Sequence, residues 1–210
     1  MTDSPSQKYP SDCELTGGLL ARARERHERE ARGYGWQSCL DRAAKVEMLL
    51  LDVDGVMTDG SLYFGADGRE SKAFSSRDGL GIRLAQKGGV EVGIITARRS
   101  EAVAARAENL GISRLYQGVG KKIEVFRRIL EETAIAPERI AYMGDDWLDL
   151  PVMREVGLAA AVADGAPEVR EAAHFVSRHP GGHGAVRELC ELLIVARGEY
   201  EGLLSQYAGD

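Results

Sequence analysis

The sequence predicts an α/β protein built as a three-layer, doubly wound parallel sheet. Three observations carry this. Short apolar runs without polar alternation recur along the chain, as suits strands buried on both faces. Stretches with apolar residues at helical spacing separate those runs. The connections are long enough to cross over the sheet, which parallel pairing requires. A length of 210 residues suits one such domain with a short appendage.

In chain order, residues 1–39 are expected to be an N-terminal tail. Residues 1–17 are polar, hold Pro5 and Pro10 and several serines, and read as disordered. Residues 19–32, LLARARERHEREAR, read as a solvated helix, because Glu25, Glu28 and Glu30 interrupt the arginines. The compact domain is expected over 40–198, and residues 199–210 as a C-terminal tail. Within the domain, VEMLLLDV (46–53) is a buried strand. SLYFG and ESKAF flank Ala66-Asp67-Gly68 as a small β-hairpin flap. Residues 78–88 are helical, with Leu80, Leu84 and Ala85 on one face. VEVGIIT (90–96) is the next buried strand, and the helix over 99–110 stops at Gly111, a favoured C-cap residue. SRLYQG, RIAYMG, LAAAVA and HFVS supply four more strands. Helices are expected over 121–134, 147–156 and 185–198.

Composition excludes several classes. Lys and Arg number 27 against 33 Asp and Glu, a formal charge of −6, which disfavours a nucleic-acid partner needing clustered cations. No apolar run is long enough to span a bilayer, and MTDSPSQKYPSDCE shows no signal-peptide pattern. Cys13, Cys39 and Cys190 form no CxxC pair, which fits a reducing cytoplasm.

Ligands of open α/β sheets collect beyond the carboxyl ends of the strands. There the sequence places Asp52, Asp54 and Gly55 after the first strand, Thr96 after the next, Lys121 and Lys122 at a helix start, and Asp145, Asp146 and Asp149 after RIAYMG. Each has an ordinary explanation. Thr96 can be a plain β-branched strand residue, and the lysines can be solvated. The second acidic group can cap a helix, but capping accounts for one or two of its three members and leaves the Asp52/Asp54 pair on the same edge unexplained. Like charges this close cost energy unless a cation binds. Oxygen ligands suit a hard ion, Mg²⁺ above all. A metal-bearing acidic pocket with a Lys and a Thr suits a phosphoryl group attacked by a carboxylate, and the Gly55 turn leaves backbone N–H groups to face an anion. No Walker A motif is present.

LLLDVDGVMTDG, IITAR, QGVGKK and YMGDDWLD, in this order, resemble the four motifs of the haloacid dehalogenase-like phosphohydrolases. From DRAAKVEMLLLDVDGVMTDGSLYF through FSSRDGLGIRLA to GGHGAVRELCELLIVARG, about residues 40–198, the chain resembles the 3-deoxy-D-manno-octulosonate 8-phosphate phosphatases. The resemblance implies a Mg²⁺-dependent phosphatase of lipopolysaccharide sugar synthesis, with no cap domain, assembled as a homotetramer. It implies Asp52 as nucleophile, Asp54 as acid and then base, and Thr96 and Lys122 as phosphate ligands. Mg²⁺ would be held by Asp52, Asp145 and the Asp54 carbonyl, with Asp149, or Asp146, supporting the site from behind. Arg77 and His183 would meet the anionic substrate.

Three departures bear on the substrate. Ala97 replaces a usual Gly, Ser75 and Ser76 replace an Asn and an apolar residue, and His183 stands where Arg is common. A neutral His binds a sugar carboxylate less firmly than Arg, so a nonulosonate 9-phosphate is the alternative substrate. A phospho-signalling receiver is disfavoured, since both Asp52 and Asp54 lie on the first strand and the strand before Thr96 ends without an Asp.

Overall fold

A computed structural model describes residues 33–208 together with Gly17 and Gly18. The expectations for residues 1–16 and 19–32 lie outside the described residues. The chain divides into two compact units, residues 32–199 and residues 1–31 with 200–210. In the second, the expected C-terminal tail is helical over Tyr200–Ala208.

The larger unit starts before the expected Leu40. Tyr34 bridges to Val176, and Trp36, 4% exposed, packs edge-on against Phe175 with ring centroids 6.2 Å apart. A short 3-10 turn leads into α1 (Leu40–Ala43). Then follow β1 (Met48–Leu51), β2 (Tyr63–Phe64), β3 (Glu70–Ser71), α2 (Ser76–Lys87), β4 (Glu91–Ile95), α3 (Glu101–Asn109) and β5 (Arg114–Tyr116). The chain continues with α4 (Lys122–Thr133), β6 (Ile140–Gly144), α5 (Leu150–Met153), β7 (Leu158–Ala161), α6 (Pro167–Ala172), β8 (Phe175–Val176) and α7 (Ala185–Ala196). The sequence reading had not singled out α6.

Six strands form one parallel sheet in the order β5-β4-β1-β6-β7-β8. β1 is buried throughout because side chains alternate between two cores. Leu49 and Leu51 enter one with Ile82, Val186 and Leu189, while Met48 and Leu50 enter the other with Phe126, Ile129 and Val152. The chain runs from β1 outward to β5, then returns to β6 on the other side of β1. The β1–β6 boundary is therefore the switch point, where a crevice opens at the strand ends. Leu51 pairs with both Ile94 and Met143, so β1, β4 and β6 finish level. Between β1 and α2 stands only the two-stranded β2–β3 flap, and no cap domain is inserted there.

One helix face differs from expectation. Leu80 is 38% exposed, whereas Gly79, Gly81, Ile82, Leu84 and Ala85 face inward. Gly81 is the reason: a Cβ there would stand 2.9 Å from the Arg187 Cα, so α2 and α7 meet on a small-residue face that a count of apolar side chains misses.

Candidate active site

Directly beyond the ends of β1 and β6, the chain places its acids. Asp52 follows β1 directly, its N–H donating to Met143 O at 3.1 Å. Asp145 follows β6, and Asp149 lies in the next turn. One carboxylate oxygen from each of these three residues lies within 4.8 Å of the other two. Gly55, at φ +86°, makes this approach possible, since a Cβ there would collide with the Asp145 carboxylate.

Lys122, the first residue of α4 and 4% exposed, reaches into the cluster. Its Nζ lies 2.7 Å from Asp52 Oδ2 and 2.6 Å from Asp149 Oδ1. Lys121 turns outward to Glu124 at 3.2 Å, so of the two lysines it is Lys122 that reaches the carboxylates. Asp149, wholly buried, is the hub. Its Oδ1 also accepts the Tyr142 hydroxyl at 2.5 Å, and its Oδ2 accepts the N–H groups of Asp145 and Asp146 at 3.0 and 3.2 Å. Asp149 thereby fixes both the ammonium and the backbone that carries Asp145. Asp146 is exposed, and its carboxylate caps the turn by accepting Trp147 N–H at 2.7 Å. Of the two acids expected to support the site, Asp149 is buried among the cluster and Asp146 faces outward.

The electrostatics are strained without a cation. Burial raises the Asp52 carboxyl to about 6, against the opposing pull of Lys122. Burial, then Asp52 and Asp149, push Asp145 to about 8. Burial works against the Lys122 ammonium, but Asp52 and Asp149 outweigh it and raise its pKa. Asp145 Oδ1 is buried with no hydrogen-bond partner. An orphaned carboxylate oxygen beside two other acids, all hard oxygen donors, fits a divalent cation.

Asp54, two residues past Asp52, pairs with cations from the flap and from the turn after β4. Lys72, one residue past β3, has a fully buried side chain and ion-pairs with Asp54 Oδ1. Arg98 Nε lies 3.9 Å from Asp54 Oδ2. Neither cation was singled out from sequence. Four carboxylates, from Asp52, Asp54, Asp145 and Asp149, face the two ammoniums of Lys122 and Lys72. Fully ionised, that balance leaves the charge that one divalent cation cancels.

Thr96, 2% exposed, directly follows β4 beside β1. Its backbone N–H donates to Tyr116 O at 2.9 Å, which fixes it at the strand end. Arg77 is exposed in the first turn of α2. The adjacent Asp78 is the buried one, accepting Gly184 N–H at 3.2 Å and Arg187 N–H at 2.8 Å. It ties α2 to the Gly181–Gly184 segment, whose Gly182 N–H bonds Val56 O at 2.9 Å in the turn after Asp54. His183 rides on that segment, exposed, close enough to Asp59 for its charge to lower that carboxyl's pKa, a smaller effect than the Ser61 N–H.

Comparison with known proteins agrees with this geometry. A model of the haloacid dehalogenase-like hydrolases matches residues 114–189. The 3-deoxy-D-manno-octulosonate 8-phosphate phosphatase of Escherichia coli K12 is 50% identical over 160 residues, 76% of this chain and 85% of that protein. The crystal structure of the Yersinia pestis phosphatase of the same name superposes with a TM-score of 0.76 at 47% identity, over 78% of this chain and 88% of that one. The 3-deoxy-D-manno-octulosonate 8-phosphate phosphatase of Moraxella catarrhalis, solved in complex with a magnesium ion, a phosphate ion and a KDO molecule, superposes with a TM-score of 0.80 at 33% identity, over 81% of this chain and 98% of that one. The chain belongs to the haloacid dehalogenase-like hydrolases, within the family of the 3-deoxy-D-manno-octulosonate 8-phosphate phosphatases.

Proposed function

We propose that this protein hydrolyses 3-deoxy-D-manno-octulosonate 8-phosphate to the free sugar acid and phosphate, with Mg²⁺ as cofactor. The observation that carries the reading is the Asp52–Asp145–Asp149 cluster with Lys122 inside it. The substrate choice rests on the names of relatives up to 50% identical and on the Moraxella complex.

Asp52 is the nucleophile. Its carboxylate attacks phosphorus, the bond to the sugar oxygen breaks, and Asp54 gives that oxygen a proton. A water then attacks the aspartyl-phosphate, its proton passes to Asp54, and phosphate departs with Asp52 restored. Asp52, Asp145 and the Asp54 carbonyl would hold Mg²⁺, which screens phosphate charge so that an anionic carboxylate can approach. Lys122 and Thr96 bind phosphoryl oxygens, and Lys122 is already held in place by Asp149. Arg77, His183 and the Gly55 turn are assigned to binding the anionic sugar acid. A homotetramer is part of this proposal. The flap exposes Leu62, Tyr63 and Phe64 at 43%, 52% and 61%, apolar surface suited to a neighbouring copy.

The test is phosphate release with Mg²⁺ from the 8-phosphate octulosonate, nonulosonate 9-phosphates and hexose phosphates. The highest kcat/KM is expected for the 8-phosphate, and none for Asp52→Asn. Preference for a nonulosonate would replace the substrate, and undiminished turnover by Asp52→Asn would overturn the chemistry.

A further inference from the structure

Lys72, at the base of the flap just past β3, is buried although the fold alone does not require it. β2 and β3 around it are largely exposed, with Tyr63 at 52% and Phe64 at 61%, yet its own side chain is 0% exposed. The flap already closes by strand pairing and by an Asp67 turn, whose Oδ1 accepts Arg69 N–H at 3.1 Å. Pinning it to the core would be achieved more cheaply by an apolar residue, because an ammonium loses its hydration on burial.

The partners explain the choice. The Lys72 ammonium ion-pairs with Asp54 Oδ1 and lies 3.1 Å from Glu70 Oε1. Glu70 Oε2 in turn accepts Arg98 Nη2 at 2.7 Å, and Arg98 Nε lies 3.9 Å from Asp54 Oδ2. Each oxygen of Asp54 therefore faces a cation carried on a different loop, with Glu70 holding both cations in register. Asp54 sits on a turn, not on a strand. Its carboxylate would sample several rotamers if left to water, and proton transfer needs it aimed to within about 10–20°.

We propose that Lys72 is a positioning residue for Asp54. It orders the carboxylate for proton transfer, so that the flap is part of the acid–base machinery as well as a wall. This rests on the phosphatase reading above.

p-Nitrophenyl phosphate separates the two steps. In the first, the Asp52 oxygen bonds to phosphorus and p-nitrophenolate leaves as an anion, so no proton is needed. In the second, water bonds to phosphorus, its proton passes to Asp54, and the bond from phosphorus to Asp52 breaks. With the full chain and Mg²⁺, single-turnover p-nitrophenolate release is read by stopped flow and phosphoenzyme decay by acid quench. Lys72→Met is expected to release p-nitrophenolate within about 3-fold of wild type while its phosphoenzyme decays at least about 10-fold more slowly, and Asp54→Asn to show the same split more strongly. Lys72→Arg, which keeps the charge, is expected to recover decay. Should Lys72→Met not fold, Lys72→Gln is read by the same criterion. Equal slowing of both steps, or of neither, overturns the positioning role. Wild-type protein that forms no phosphoenzyme overturns the phosphatase reading, and this inference with it.

Discussion

Replacing Asp145 by Asn should stabilise the metal-free protein while destroying its use. An unfolded Asp145 releases its proton near 3.8, whereas burial beside Asp52 and Asp149 holds the folded group protonated up to about 8. Between those limits the folded state binds more protons than the unfolded state, so stability falls as pH rises. Asp52 adds a contribution of the same sign between 3.8 and about 6. At pH 8 the Asp145 contribution has a ceiling of about 5 kcal/mol at 1.4 kcal/mol per pKa unit. Local relaxation and water entry should reduce what is measured to about 2–3 kcal/mol. An Asn amide carries no charge and can donate to Asp52. Urea unfolding in EDTA at pH 5 and pH 8 provides the assay. Asp145→Asn should match wild type closely at pH 5 and exceed it by about 2–3 kcal/mol at pH 8. Mg²⁺ at a hundred times its Kd should return about 2.7 kcal/mol to wild type and almost nothing to the variant. A pH-independent difference between the two proteins, or a variant less stable than wild type in EDTA at pH 8, would refute the claim that these carboxylates repel one another.

Other perturbations follow from the same geometry. Lys122→Met leaves the buried Asp149 without its ammonium 2.6 Å away, and should cost about 3–5 kcal/mol in chemical denaturation along with all measurable turnover. Gly55→Ala forces a Cβ into the Asp145 carboxylate at a positive φ. It should lower stability by about 1–3 kcal/mol and weaken Mg²⁺ binding in calorimetry, whereas unchanged binding would show that Asp145 has room to move. Light scattering should give a tetramer, and Phe64→Glu on the exposed flap should dissociate it. A fully active, monodisperse wild-type monomer would contradict the proposed assembly.

Much of the site was legible in sequence because strand ends are local signals. A buried apolar run followed by a polar residue places that residue at the sheet edge, and three such strand ends locate Asp52, Thr96 and Asp145 without knowledge of any contact. The site's long-range partners carry no such signal. Asp78 meets Gly184 and Arg187, which lie 106 and 109 residues away, and no local pattern marks it. Lys72 and Arg98 gain meaning only once the flap folds over Asp54, and Tyr142 looks like any aromatic strand residue until Asp149 is seen beside its hydroxyl. Leu80 does not share the buried face of Leu84 and Ala85, because close packing on α2 is made by glycines, which a hydrophobic count ignores.

The central claim is that phosphorus passes through Asp52, and acid-quenched mass spectrometry tests it most directly. Protein mixed with Mg²⁺ and the 8-phosphate sugar acid should carry the mass of one phosphoryl group on the peptide containing Asp52, and Asp52→Asn should carry none. Steady phosphate release with no labelled Asp52 peptide, or the label on another residue, would contradict the account.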